Sequence, residues 1–156
     1  MVQIVFIWTG PTRSRPLRQV IDDYIYRIRR WVPCEIREGR SPRFRDPHQQ
    51  AAQLRAEARW ILEQTTGLDD WIALSPRGEV WTPPDWTRWW RVCVHRGQRV
   101  GLVLGGPYGL APSVEQAAPH RVSLGPIVLS HEMARAVIVE WIYRLLSLWK
   151  GVPYAK

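Results

Sequence analysis

The stretch LVLGGPYGLAP, Leu102 to Pro112, is an apolar run that breaks into three glycines and two prolines. An apolar segment of this length closed by turn residues reads as a buried strand, which "RVGLVLGG" carries back to Arg99. The break has two readings. Gly105, Gly106 and Gly109 suit positive φ angles in a tight turn, and they equally suit a backbone left bare for a ligand to approach. Two more segments are built the same way: "DWIALS" (70–75), a buried strand followed by the loop "PRGEVWTPPDW", and "VSLGPIVLS" (122–130), a strand running into a loop. Open parallel sheets bind ligands where such strand ends converge at the carboxyl edge, so the three ends together make the candidate site. Neither G-x-G-x-x-G nor G-x-x-x-x-G-K-[ST] occurs, which removes the dinucleotide and nucleoside-triphosphate fingerprints.

Outward from this centre, "VQIVFIW" (2–8) is a buried strand ended by the turn residues "TGPTRSRP". In "PLRQVIDDYIYRIRRWV", Leu17, Val20, Ile21, Tyr24, Ile28 and Trp31 share one helical face, with Pro16 first in the helix and Ser14 or Arg15 just outside it. "PCEIRE" predicts a short strand and "GRSPRFRDPHQ" a polar, mobile loop. Gln49–Gln64 predicts a helix resting on Ala52, Leu54, Ala58, Ile61 and Leu62 and ending near Gly67. Asp85–Arg96 reads as a helix, "LAPSVEQAAP" as a short helix or turn, and "HEMARAVIVEWIYRLLSLWK" as a long amphipathic helix. Strands alternating with helices predict an α/β fold with a largely parallel sheet, and 156 residues at 46% hydrophobic content suit a single domain over 1–156.

Twenty arginines and two lysines against 14 acidic residues leave a formal charge of +8. Such an excess suits a polyanion, because every phosphate neutralised releases a counterion; the competing reading is a solvated, arginine-rich surface. Ten of the arginines fall between Arg13 and Arg45, which makes the N-terminal third the candidate RNA-facing surface. Cys34 and Cys93 fit neither a metal-ligand spacing nor a disulfide framework, and no signal segment or long apolar span is present. The expectation is a cytoplasmic protein with reduced core thiols, no metal and no membrane association. Trp60, Trp71, Trp141 and Trp149 stand at core-like spacings, while Trp86, Trp89 and Trp90 lie between packing and base stacking. The last helix carries Met133, Val137, Ile138, Trp141, Ile142, Leu145, Leu146 and Trp149, a stripe too wide for one neighbour, so part of it is predicted to pack on a second copy. Near its start His131 and Arg135 share a face, and Glu140 and Arg144 form an i,i+4 pair. Taken alone these are a helix-start residue and a surface ion pair.

"LVLGGPYGL", "LSHEMARAVIVEWIYRL" and the terminal "GVPYAK" together resemble the RlmH family of SPOUT-superfamily methyltransferases. The likeness takes in Gly10, "IDDYIYRI" with Tyr24 and Arg27, "RAEARWIL" and "WIALSPRGEVW", and so runs along the whole chain. The resemblance implies a SPOUT-type parallel sheet flanked by helices, with a C-terminal trefoil knot, which is an exception to the rule against threaded loops. It implies a homodimer and S-adenosylmethionine as cofactor, held by Leu74, Gly105 and the loop Leu124, Gly125, Pro126, Ile127, Val128 and Leu129. It further implies methylation of N3 of a pseudouridine in large-subunit (23S) ribosomal RNA on assembled ribosomes, with Arg144 and Tyr154 as the catalytic residues at the base.

Three departures bear on this. Family members end in a Tyr-His pair, whereas Ala155 follows Tyr154 here, so no role of that histidine carries over. Ser75 stands where many relatives have an acidic residue, and Tyr108 occupies a variable position. Ala155 motivates an alternative, a catalytically weak RNA-binding paralogue; a hydrolase built around His131 and Glu140 lacks a nucleophile elbow.

Overall fold

In the computed structural model, which describes residues 1–40 and 46–155, strand β1 (Gln3–Thr9) is buried at every residue after Gln3. A strand without a polar side must be covered on both faces, and alternation assigns its side chains to two layers. Ile4, Phe6 and Trp8 pack against helices α1 (Arg15–Arg29), α3 (Pro83–Arg96) and α5 (His131–Lys150). Val5 and Ile7 pack against α2 (Gln50–Thr65) and α4 (Pro112–Ala117). Each such side chain stabilises the fold by about 1.5–3 kcal/mol, so truncating Phe6, at the centre of the larger cluster, would open the α1–α5 layer. The other strands are β2 (Cys34–Gly39), β3 (Asp70–Val80), β4 (Arg99–Leu104) and β5 (His120–Ser123). All pairs are parallel, in the order β2-β1-β4-β3-β5. The carboxyl ends of β3, β4 and β5 therefore lie side by side.

Caps explain where the helices begin. Ser14 accepts from the Leu17 amide ahead of Pro16, as the turn residues suggested. Thr82 and Asp85 form a reciprocal capping box on α3, and Gly97 and Gly151 end α3 and α5 in the left-handed conformation.

Four expectations are corrected. Val20 is exposed, and the buried face of α1 is Ile21, Ile25 and Ile28, because the face turns away one residue earlier. The segment after "DWIALS" is not loop: β3 continues to Val80, with an irregularity between Leu74 and Glu79, since Glu79 and Val80 pair with Val122 and Ser123 of β5. Gly78 is required there, as a Cβ would stand 2.6 Å from the Arg121 and Val122 backbone. Helix α2 buries polar Gln53 and Glu57 beside Ala58 and Ile61, while Ala52, Leu54 and Leu62 are only half-buried. Among the tryptophans, Trp86, Trp89 and Trp90 are core residues, Trp86 edge to face with Trp89 and Trp89 tilted against Trp90, and Trp149 is the exposed one, lying under Lys150. The predicted mobile loop overlaps residues 41–45, which lie outside the described residues.

Candidate functional site

The three strand ends enclose a cavity of about 500 Å³, within the range that holds a cofactor-sized ligand. Leu74 and Ser75 come from β3, Leu104 to Leu110 from β4 and its turn, and Ser123, Leu124 and Ile127 to Ser130 from the β5–α5 connection. His131 and Ala134 on the first turn of α5 complete the wall. Leu74, Gly105, Leu124, Ile127, Val128 and Leu129, all expected at a cofactor, are thus brought together. Gly125 and Pro126 do not line the cavity; they form the bend behind it. Ser123 fixes that bend, its hydroxyl donating to the Gly125 carbonyl at 2.8 Å and accepting from the Gly125 amide at 3.2 Å. Gly125 has φ 137°, open only to glycine, so the loop's shape depends on this position.

The glycines after β4 owe their bareness first to the chain itself. A Cβ on Gly105 would lie 2.3 Å from the Gly109 carbonyl carbon, and one on Gly106 would lie 3.3 Å from Thr9 Oγ1. Gly109, at φ 76°, returns its amide to the Gly106 carbonyl at 3.0 Å. The turn is therefore folded onto Gly105 and by itself requires the glycine, and the same backbone lines the cavity.

Arg135 shows why α5 starts where it does. Its guanidinium is fully buried and donates to the carbonyls of Thr9 (2.7 Å) and Gly10 (3.1 Å) and to Thr12 Oγ1 (3.0 Å), while lying over the Trp8 ring. Glu132 accepts from the amides of Arg13 and Ser14 at the start of α1. The first turn of α5 is thereby tied to the loop after β1. Burial, followed by the neighbouring Arg135 cation, lowers the His131 pKa, so the imidazole on the cavity wall is neutral at pH 7. Spacing hid Arg135 in plain view: it lies three and four residues before Ile138 and Val139 on the buried face.

Arg144 and Tyr154 form a second cluster. The Tyr154 hydroxyl donates to Glu140 Oε1 at 2.9 Å, and its contact with the Tyr24 hydroxyl at 2.8 Å must then be accepted from Tyr24, since each phenol has one hydrogen. Arg144 donates to the same Glu140 oxygen at 3.1 Å and stacks over the Tyr154 ring. Tyr143 and Arg27 close the group. Burial and then the bonds to Tyr24 and Glu140 raise the Tyr154 pKa, keeping the phenol a donor. Tyr24 was legible as a residue of the α1 face and of the family likeness; its bond to Tyr154 spans 130 residues and leaves no local signal. Thirteen residues separate His131 from Arg144, about 20 Å along α5. One chain does not bring the two clusters together, and Glu140 belongs to the second, which dissolves the hydrolase pairing with His131.

Solved methyltransferases share the fold. A probable methyltransferase from Bordetella pertussis Tohama I matches with TM-score 0.58 at 16% identity, over 93% of this chain and 96% of its own. A ribosomal RNA small subunit methyltransferase E from Neisseria gonorrhoeae, solved with S-adenosyl methionine, matches with TM-score 0.56 at 16% identity, over 92% of this chain and 66% of its own. The fold these structures share with the chain is an α/β fold with a parallel sheet flanked by helices. Curated relatives described as "Ribosomal RNA large subunit methyltransferase H" include one from Anaeromyxobacter sp. (strain Fw109-5), 34% identical over 94% of this chain and 95% of its own, and one from Sorangium cellulosum (strain So ce56), 32% identical over 99% of both. With the family described as "Predicted SPOUT methyltransferase" matching residues 2–155, the chain belongs to the SPOUT methyltransferases, in the RlmH family.

Proposed function

We propose that the chain transfers a methyl group from S-adenosylmethionine to N3 of a pseudouridine in large-subunit (23S) ribosomal RNA, on assembled ribosomes in the cytoplasm. It works as a homodimer of single domains, each spanning 1–156 with its C-terminal part threaded through a trefoil knot. The observation that carries this reading is the cavity at the carboxyl ends of β3, β4 and β5, apolar at Leu74, Leu104, Leu124 and Leu129 and walled by backbone at Gly105 and Gly106. Its apolar side suits an adenine ring, and the polar side chains of Ser75, Ser123 and Ser130 on its lining suit the polar remainder of the cofactor. Leu74, Gly105 and the loop Leu124, Gly125, Pro126, Ile127, Val128 and Leu129 would hold it. Bound there, the cofactor supplies an electrophilic methyl group.

The chain's own residues then prepare the base. Pseudouridine N3 is a weakly acidic imide whose proton must leave before its lone pair can attack. A guanidinium at the base carbonyls favours that anion, which is the role of Arg144, and Tyr154, whose single hydrogen goes to Glu140, positions that guanidinium over its ring. Because Arg144 stands about 20 Å along α5 from His131 on the cavity wall of its own chain, and Tyr154 is bonded to Glu140 in the same cluster, the two serve the cavity of a second copy. The exposed Met133, Val137, Leu148 and Trp149 on α5, with Ile127 and Val128 at the cavity rim, offer the apolar surface for that pairing. Ala155 alone argued for RNA binding without turnover; Tyr154 and Arg144 need nothing from that position, since Glu140 and Tyr24 hold them. Incubation with tritiated S-adenosylmethionine and ribosomes lacking the modification tests the proposal. It predicts one methyl per large subunit and a dimer by sedimentation at micromolar concentration. No incorporation where a relative succeeds refutes it.

A further inference from the structure

We propose that Tyr108 and Arg77 form an RNA-holding lip on the cavity, Tyr108 stacking on a nucleotide beside the target base and Arg77 taking a backbone phosphate. The inference rests on the RNA-methylation reading and adds two contacts to it.

Tyr108 sits in the turn after β4, between Pro107 and Gly109, and lines the cavity while remaining 47% exposed. Its mount is stiff. Gly106 and Gly109 form an antiparallel bridge, and the turn is pressed onto Gly105. An aromatic ring held at a rim loses little freedom on stacking, and every base offers a face to stack on, so the contact tolerates sequence. Arg77 projects from the irregular part of β3 and lines the same cavity. Its side chain is 68% exposed, yet its Nε and Nη2 both donate to Oε2 of Glu115, at 3.3 and 2.8 Å, and Glu115 is buried on α4. One edge of the guanidinium is spent on holding position; Nη1 has no partner among the described residues and keeps two donors for an anionic oxygen. Arg77 also lines a second, polar cavity of about 440 Å³ that includes Arg121 and His120. Glu79 and Glu115 share that lining, so the groove is mixed in charge, and Arg77 stands on the ridge between it and the methyl-donor cavity with its free edge available to a strand crossing the rim. An aromatic face beside a forked cation, in a chain of net charge +8, fits nucleic acid.

The test uses the full chain with Tyr108→Ala, Tyr108→Phe and Arg77→Ala, each checked for an unchanged melting temperature. Three readouts are taken: anisotropy of a fluorescein-labelled stem-loop RNA carrying pseudouridine across a potassium chloride series, calorimetric titration with S-adenosylmethionine, and KM for methylation of ribosomes lacking the modification. Tyr108→Ala should weaken RNA binding roughly tenfold or more, with Tyr108→Phe retaining most of it. Arg77→Ala should reduce the slope of log affinity against log salt by about one, the signature of one lost phosphate contact. Cofactor affinity should stay unchanged in all three. Cofactor affinity that falls while RNA affinity holds would make these residues cofactor contacts and overturn the inference, as would RNA affinity and salt slope that none of the variants moves. The two readings fail separately. A wild-type chain that binds RNA through this lip but methylates no ribosome overturns the proposed reaction alone, and unchanged KM and RNA affinity in active variants overturn the lip alone.

Discussion

Replacing Gly105 with alanine is the sharpest test of how the cavity wall is built. The new Cβ would meet the Gly109 carbonyl carbon at 2.3 Å and its oxygen at 2.4 Å, where ordinary contact begins at 3.4 Å, so the turn must retreat by about 1.1 Å. The obstructing atoms are backbone, held by the Gly106–Gly109 bridge, so no side chain can swing aside. Overpacking of this kind costs about 1–3 kcal/mol, and the rigid obstacle places Gly105→Ala at the upper end. Gly109→Ala is the control. Its Cβ meets nothing within 4 Å, and its cost is the φ of 76° alone, about 1–2 kcal/mol. Urea unfolding should therefore rank Gly105→Ala as the less stable variant. Calorimetry should show its S-adenosylmethionine affinity reduced at least tenfold, about 1.4 kcal/mol, because the displaced turn is a wall of the cavity. A Gly105→Ala protein as stable as Gly109→Ala, with cofactor affinity intact, would refute both the packing of the turn and its place in the site.

Arg135→Met should cost about 3–5 kcal/mol in urea unfolding, since it leaves the buried Thr9 and Gly10 carbonyls without their donor; a loss under 1 kcal/mol would remove Arg135 as the tie between α5 and β1. Burial opposes the charge on Asp70, but hydrogen bonds from His120 at 3.0 Å and the Trp89 indole at 2.9 Å outweigh it and hold its carboxyl below the ordinary range. A depressed pKa contributes stability that is fully present above the unfolded value, about 3.9, and is lost as pH falls through the folded one. Melting temperature should accordingly drop on acidification below about pH 4, and Asp70→Asn should flatten part of that slope. Burial pushes both thiols, Cys34 and Cys93, up to about 12, so Ellman's reagent at pH 8 should react slowly with the native chain and with two thiols after denaturation.

Local pattern carried most of the elements. Apolar runs ended by glycine or proline marked β1, β3 and β4, and Ser14 with Pro16 marked the start of α1, because strand burial and helix capping are settled within a few residues. The same pattern misjudged "PRGEV", since a proline and a glycine read as a loop until β5 arrives to pair with Glu79 and Val80. It also passed over Gln53 and Glu57, whose burial on α2 breaks the apolar face that spacing led us to expect.

By itself the sequence determined the α/β alternation, the family, and the three strand ends that make the cavity, all of which depend on neighbours along the chain. Only the tertiary structure decided which contacts those residues make. It showed that Gly105 is bare for its own turn, that Arg135 is a buried tie across more than 120 residues, and that Tyr24 and Glu140 hold Tyr154 at a distance from the cavity. Packing and hydrogen bonding between segments far apart in the chain depend on where the folded backbone brings them. No spacing within a segment records that.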